Sequence, residues 1–202
     1  MKRLIDLTNE EARLYFLKGS SYFNADMPQY IDFQPVINNV ANLIKCEPYV
    51  DFNRKPNPSE LEKVNHTFLS NKDGKFAWRP LELIHPVIYT SLVNLICNST
   101  NWGSITSRLS EFQGGIVECC SIPVVPEDHE KDAGLQVENW WMNVEQKSLC
   151  YSLEFSHLLH TDVTDCYGSL YTHSISWAIH TIEIAKEKKN DHSLLGNNID
   201  FH

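Results

Sequence analysis

The chain has 202 residues, 42% of them hydrophobic and 21% charged, which excludes wholesale disorder and suits one domain or two small ones. The formal net charge of −9 argues against an extended basic surface for duplex nucleic acid, although a local basic groove remains compatible with it. No apolar run approaches the ~18–20 residues that cross a membrane, and no signal-peptide pattern follows the N-terminal basic pair, so we expect a cytoplasmic protein without membrane contact.

The first part of the chain is predicted to be mainly helical. Thr8 and Glu11 have the spacing of a capping box, so a short helix should begin at about residue 9. Apolar periodicity and turn chemistry predict the elements that follow: a helix from about residue 34, a β-hairpin near 66–80, helices over 87–96 and 102–112, and a strand over 117–125. Six cysteines (46, 97, 119, 120, 150 and 166) form no C-x-x-C pair, and we expect free buried thiols.

The last third of the chain begins with a predicted helix over 135–151. The apolar run Phe155–Leu159 then predicts a strand, and a helix is expected over 172–188. A lone strand cannot bury both of its faces, so this strand needs partners from elsewhere. The pattern favours an α+β fold.

Two acids, Asp162 and Asp165, follow the predicted strand directly. Carboxylates at the end of a strand suit a hard cation such as Mg²⁺, which also accepts a neighbouring backbone carbonyl. Sites of this kind hold two ions in phosphoryl transfer. On spacing alone, the D-x-x-D pattern favours a helix N-cap or a turn over a metal site.

The stretch TDVTDCYGSLYTHSISWAIH (161–180) resembles the first catalytic motif of reverse transcriptases, most closely the defence-associated and abortive-infection reverse transcriptases of prokaryotes. Residues 15–24, 78–86 and 146–148 are similar to other segments of this group. The resemblance implies RNA-directed DNA polymerisation in antiviral defence. It also implies a right-hand polymerase architecture, with fingers over 1–150 and the first strand and helix of an incomplete palm sheet over 151–202.

The resemblance also assigns roles to individual residues. Asp162 would bind both Mg²⁺ ions, and the backbone carbonyl of Val163 would be a further ligand. Asp165 would lie beside the incoming deoxynucleoside triphosphate, in the same nucleotide-binding segment as Cys166. Tyr167 would be the steric gate, a ring that excludes a ribose 2′-hydroxyl by overlap.

Two basic residues are weaker candidates for the same site. Arg79 suits a bidentate contact with triphosphate or template phosphates, and Lys75 could share that role. Both fit equally well as ordinary surface residues of the predicted hairpin.

The sequence departs from the family in two respects. It contains no Tyr-x-Asp-Asp, the second carboxylate cluster of such polymerases, so we expect an N-terminal part that is inactive by itself. Thr181 stands where relatives tend to have glycine, a change that a continuous helix would tolerate. The complete protein would bind an RNA template, a DNA product and deoxynucleoside triphosphates, with a partner RNA or a homo-oligomer as further possibilities.

Three other hypotheses remain open. The chain could be a non-catalytic interaction module derived from a reverse transcriptase, binding protein or nucleic acid. It could belong to a polymerase of the same family that extends DNA without a template. A zinc site is a third, since His157 and His160 occur with Cys119, Cys120 and Cys150, but two histidines three apart on a strand point to opposite faces.

Overall fold

The computed structural model describes residues 2–23, 28, 30–45, 63–71, 74–75, 78–113, 115–126, 132–163, 166 and 169–201. The chain divides into a first unit, residues 1–12 with 99–200, and a second unit, residues 13–98 with 201–202. The helices are α1 (Asn9–Phe16), α2 (Gly19–Tyr22), α3 (Gln34–Ile44), α4 (Pro86–Ile96), α5 (Ser99–Glu111), α6 (Asp132–Ser152), α7 (His173–His180), α8 (Ile182–Glu187) and α9 (Leu195–Phe201). The strands are β1 (Lys2–Arg3), β2 (His66–Asn71), β3 (Trp78–Leu83) and β4 (Val124–Val125).

Helices dominate these residues, and the strands pair in two separate two-stranded sheets. The predicted α+β class is therefore confirmed at this level, while fingers and palm stay a prediction. The predicted domain boundary at residue 150 also stays a prediction, and α6 continues through it. In the part of the chain that the structure describes, no helix is both long and apolar enough to span a bilayer.

The predicted capping box is present at the start of α1. The Glu11 N–H donates to Thr8 Oγ1 at 3.2 Å, and the Thr8 N–H donates to the Glu11 carboxylate at 2.8 Å. Lys2 donates to the same carboxylate at 2.9 and 3.0 Å. The two bonds between Thr8 and Glu11 satisfy backbone donors at the start of the helix. The bonds that Thr8 and Lys2 donate to the Glu11 carboxylate lower its pKa.

The first unit joins the start of the chain to residues 124–125 through the β1–β4 pair. Arg3 lies opposite Val124, and the Leu4 N–H donates to Pro123 O at 2.8 Å. The other side of Val124 is bonded by Gln136 of α6, whose Oε1 accepts from the Val124 N–H at 2.9 Å and whose Nε2 donates to the Val124 carbonyl at 2.7 Å. The Gln136 amide thus takes the place of a neighbouring strand.

Trp102 anchors α5 in the core of the first unit. The residue is buried, and its Nε1 donates to the Leu7 carbonyl at 2.9 Å. Leu4, Leu7 and Val124 are buried in the same unit. A buried indole with its N–H satisfied stabilises both through apolar area and through the hydrogen bond.

The second unit packs α3 against α4. Ile37 of α3 is fully buried, and Thr90 and Ser91 of α4 are also fully buried. Tyr89 donates its hydroxyl to the Phe16 carbonyl at 2.6 Å, and its ring lies 4.9 Å from that of Tyr22 in an edge-on arrangement. Burial raises the pKa of Tyr89, so the phenol stays protonated.

Gln34 is the first residue of α3, and its side chain forms hydrogen bonds with the turn that precedes α2. Its Oε1 accepts from the Gly19 N–H at 2.7 Å, and its Nε2 donates to the Leu17 carbonyl at 3.0 Å. A Cβ on Gly19 would lie 3.1 Å from the Gln34 backbone nitrogen. Glycine therefore permits this close approach, and the residue begins α2.

The predicted hairpin is confirmed by the antiparallel pair β2–β3. The register runs from His66 opposite Leu83 to Asn71 opposite Trp78. Pro80, opposite Leu69, lies inside β3, which continues to Leu83, beyond the predicted end of the hairpin near residue 80. A two-stranded sheet has a free edge on each strand, so a residue without an N–H is tolerated there.

Three predicted elements differ from the structure. The strand over 117–125 is reduced to Val124–Val125, because its partner β1 is only two residues long. The helix over 172–188 is two helices, α7 and α8, separated at Thr181. The strand Phe155–Leu159 is absent, and these residues have no regular secondary structure.

Candidate functional site

The segment that leads to Asp162 emerges from the end of α6. The Leu153, Glu154 and Phe155 N–H groups donate to carbonyls of the last helical turn, at 2.8–3.2 Å, and thereby close the helix. Residues 156–163 are irregular and exposed, with Leu158 and Leu159 86% and 87% exposed. The apolar run has strand composition, but neither two-stranded sheet of the described residues includes it. Without a hydrogen-bonded neighbour such a run does not form a strand.

Asp162, the predicted metal ligand, is exposed. Its Oδ1 accepts a hydrogen bond from the Val163 N–H at 2.8 Å, which fixes the carboxylate against its own backbone. Val163, the second predicted ligand, is 63% exposed. A carboxylate and an adjacent carbonyl are the oxygen donors that Mg²⁺ requires. They supply only one acid, whereas a two-metal site needs several.

The rest of the predicted nucleotide-binding segment is described only in part. Asp165 and Tyr167 lie outside the described residues. Cys166, between them, is an exposed free thiol. The structure therefore gives a position for Asp162, Val163 and Cys166 alone.

The second half of the motif, Tyr171 onward, forms a packed aromatic cluster at the start of α7. The Tyr171 ring meets the His173 ring edge-on at 4.9 Å and lies 5.7 Å from the Trp177 ring. His173 Nδ1 is hydrogen-bonded to Asp200 of α9 at 2.5 Å. These residues, which the sequence singled out only through the family resemblance, therefore have a structural role in holding α7.

The end of α7 is fixed to α9 by two further hydrogen bonds. Ser176 is buried and donates to Asn197 Oδ1 at 2.7 Å. His180 Nε2 accepts from the Gly196 N–H at 3.0 Å, one of the donors that the first turn of α9 leaves open. Burial, and secondarily the charge of Lys188, lower the pKa of His180, which matches its role as a neutral acceptor.

Thr181 separates α7 from α8, where the sequence predicted a continuous helix. Its N–H donates to Trp177 O and its carbonyl accepts from the Ala185 N–H, so it ends one helix and starts the next. Its φ of 102° and ψ of 157° lie in a region almost restricted to glycine. The prediction of a continuous helix was wrong here, because Thr181 is not helical.

The two basic candidates lie in the second unit, on and next to the β2–β3 hairpin. Arg79 is exposed and pairs in register with Ser70. Lys75 is exposed next to Gly74, which has a φ of 75° suited to a turn. Their predicted role in binding phosphates stays a prediction.

The cysteines and histidines that the structure describes do not assemble a metal site. Over the described residues, no group of three or more His, Cys, Asp or Glu side chains is placed to hold an ion. Of the cysteines predicted to be buried, Cys97 is buried and its pKa is raised by burial to about 12, whereas Cys119, Cys150 and Cys166 are exposed. Cys46 lies outside the described residues.

A cleft of about 440 Å³ in the first unit was not predicted from the sequence. Arg3 lines it and makes a two-pronged ion pair with Asp6, both distances 2.8 Å, while its Nη1 donates to Gln113 Oε1 at 3.0 Å. The Gln113 Nε2 is buried and has no hydrogen-bond partner. The lining of the cleft therefore includes a neutralised cation and an amide whose buried nitrogen is unsatisfied.

The lining of this cleft includes a second ion pair. Lys147 of α6 bonds to Glu118, which raises the pKa of Lys147 and lowers that of Glu118. Tyr151 donates weakly to the same carboxylate at 3.4 Å. The only signal in the sequence was the family-like segment 146–148, which contains Lys147 but gives no hint of its partner.

No protein-family model and no curated protein matches this chain.

Proposed function

We propose that the chain belongs to an RNA-directed DNA polymerase, a reverse transcriptase of the defence-associated and abortive-infection group of prokaryotes. The observation that carries the proposal is the stretch 161–180, in which Asp162 is followed by the aromatic and histidine residues of the motif. The exposure of Asp162 and Val163, directly upstream of the well-anchored helix α7, supports it. The proposal requires residues 155–159 to pair with palm strands that are not among the described residues.

Asp162 would hold the catalytic ions together with the Val163 carbonyl. Two Mg²⁺ ions would supply charge stabilisation for the attacking and leaving oxygens of nucleotidyl transfer. A single carboxylate cannot hold two such ions against water. We therefore expect the 202-residue chain on its own to be inactive.

Asp165, Cys166 and Tyr167 would form the wall of the nucleotide site beside Asp162. The Tyr167 ring would fill the space that a ribose 2′-hydroxyl needs, so it would select deoxynucleotides by overlap. Arg79 and Lys75 would neutralise triphosphate or template phosphates. The template would be RNA, and the setting would be antiviral defence in the cytoplasm, with a partner RNA or a homo-oligomer as further components.

Primer extension by the protein translated from its complete gene tests this function. With an RNA template, Mg²⁺ and deoxynucleoside triphosphates, we expect extension that Asp162→Asn abolishes. Tyr167→Ala should retain extension and raise ribonucleotide incorporation relative to deoxyribonucleotide. Activity that survives Asp162→Asn would remove the assignment of the metal ligand, and unchanged sugar discrimination would remove the gate.

The same assay separates the other two candidates. Extension without any template would identify a template-independent polymerase, since both reactions use the same metal site. A complete absence of extension would favour a non-catalytic interaction module. One observation favours that second candidate, namely the apolar surface that α6 and the following residues expose.

A further inference from the structure

Helix α6 exposes several apolar side chains and directs several polar side chains toward the rest of the first unit. Gln136 is half-buried against β4, and Asn139 and Asn143 are half-buried along the cleft. By contrast, Val137 is 66% exposed and Trp141 is 57% exposed. A helix on the surface of a globular unit normally has the reverse arrangement, so this one has an apolar face that the first unit does not cover.

Four apolar residues of α6 share one helix face, which we call the α6 row; three of them are exposed and Val144 is half-buried. Val137, Trp141, Val144 and Tyr151 recur at i, i+4, i+7 and i+14, the spacing that places side chains on one helix face. Trp140 borders the row and is 41% exposed, and Tyr151 is 48% exposed. The three aromatic rings leave on the order of 300 Å² of apolar surface in contact with water, an area in the range of functional patches.

A notch of about 210 Å³ adjoins the α6 row at its N-terminal end. Val137 and Trp140 form one wall, and Ile122 and Pro123 form the other. Its lining is mainly apolar, so it can receive one large apolar side chain. Row and notch together have the form of a site in which an amphipathic helix docks with anchor residues in pockets.

The charges beside the α6 row are acidic. Glu138 and Glu145 are exposed on the same flank, two helical turns apart. Lys147 is the one basic residue in the α6 sequence, and it is already paired with Glu118. A partner with lysine or arginine on the matching flank is therefore favoured. A second copy would bring the same acids to the contact and a net charge of −9 on each chain, which opposes self-association.

We propose that the α6 row is a docking site for an amphipathic helix of a partner protein, one with apolar anchors at helical spacing and a basic flank. The anchors would cover Val137 and Trp141 and enter the notch beside Trp140. The basic flank would pair with Glu138 and Glu145. This site is independent of Asp162 and of any polymerase activity.

Two labelled synthetic peptides of 21 residues test this site in a fluorescence anisotropy assay with the 202-residue chain. Both have leucines at i, i+3, i+4 and i+7, and their flanking positions are lysine in one peptide and glutamate in the other. We expect the lysine peptide to bind about tenfold more tightly at low salt, because two exposed charge pairs differ. The preference should diminish as salt screens the charges.

Variants of the chain define the site. Trp141→Ser should abolish binding, while Trp78→Ser, which changes another exposed tryptophan on the hairpin of the second unit, should leave it unchanged. The double change Glu138→Lys with Glu145→Lys should invert the preference between the two peptides. Circular dichroism checks that each variant is folded, and these side chains are exposed enough to be replaced without loss of the fold.

Several outcomes would overturn the proposal. Equal binding of both peptides, absence of binding, or a preference unaffected by the double charge reversal would each exclude a docking site with acidic selectivity. A dimer in sedimentation that Trp141→Ser dissociates would show that a second copy is the occupant.

Discussion

Replacement of Thr181 by glycine should stabilise the protein. The residue has a φ of 102° and a ψ of 157°, between the end of α7 and the start of α8. A side chain in this backbone region costs of order 1–3 kcal/mol. Glycine removes that cost but adds about 0.5–1 kcal/mol of backbone entropy to the unfolded chain. The expected gain in the free energy of unfolding is therefore about 0–2.5 kcal/mol, with a central value of about 1 kcal/mol.

The sign of this change distinguishes a helix break from the continuous helix that the sequence predicts. Inside a helix, threonine to glycine would destabilise by roughly 0.3–0.5 kcal/mol, from the difference in helix propensity. A break at Thr181 therefore predicts the opposite sign. The midpoint of urea unfolding, followed by circular dichroism, measures the change, provided that the slope with denaturant stays the same.

Thr181→Ala is the matched control. Alanine keeps the Cβ that is unfavourable at this φ, and it loses the hydroxyl that hydrogen-bonds to the Glu183 carboxylate. We expect it to be neutral or destabilising, so glycine should exceed alanine in stability. If both variants unfold at the same urea concentration, or if glycine lowers the midpoint, the backbone argument is refuted.

Two further predictions concern the α7–α9 contact. Gly196→Ala should destabilise the protein by about 1–3 kcal/mol, since a Cβ there would lie 2.5 Å from the Ser176 Cα and α9 would have to shift. As a control, Gly103→Ala on α5 places its Cβ in open space and should stabilise the protein by about 0.5–1 kcal/mol. Thermal unfolding compares the two variants. The pKa of His180 is lowered in the folded state, so the unfolded chain binds the proton more readily. The free energy of unfolding should therefore fall as the pH drops from about 6.5 through the pKa of His180 in the folded protein. His180→Gln should flatten this part of the profile of urea midpoint against pH, and a profile identical to that of the unchanged protein would contradict the assignment.

Local signals in the sequence predicted local structure well. The capping box at Thr8 and Glu11, the helix α4 and the β2–β3 hairpin each depend on residues that are close in the sequence, and each is confirmed. Such features are specified by dihedral preferences and short-range hydrogen bonds. They do not need knowledge of the tertiary fold.

Features that depend on distant parts of the chain were missed. The run Phe155–Leu159 has strand composition, but a strand also requires a neighbour, which composition cannot supply. Lys147 pairs with Glu118 in the lining of the cleft, and the sequence gives no indication of that partnership. The only sign of the unusual φ of Thr181 was that the reverse transcriptases which the sequence resembles tend to have glycine at this position. The prediction of a continuous helix gave that difference no weight. Of the candidate site, Asp162 and Val163 could be named from the sequence, whereas their exposure on an irregular segment could not, because the run predicted as a strand before them has no pairing partner among the described residues.

The pairing of β1 with β4 has a consequence for the order of events during synthesis. Residues 2–3 leave the ribosome first, but their partners at 124–125 follow some 120 residues later. At 5–20 residues per second, the partner is delayed by roughly 6–24 s. Residues 13–98 are translated within this interval, so the second unit can fold while β1 is still unpaired. A pause in translation after residue 98 would prolong that wait and leave the first strand available to the wrong neighbour.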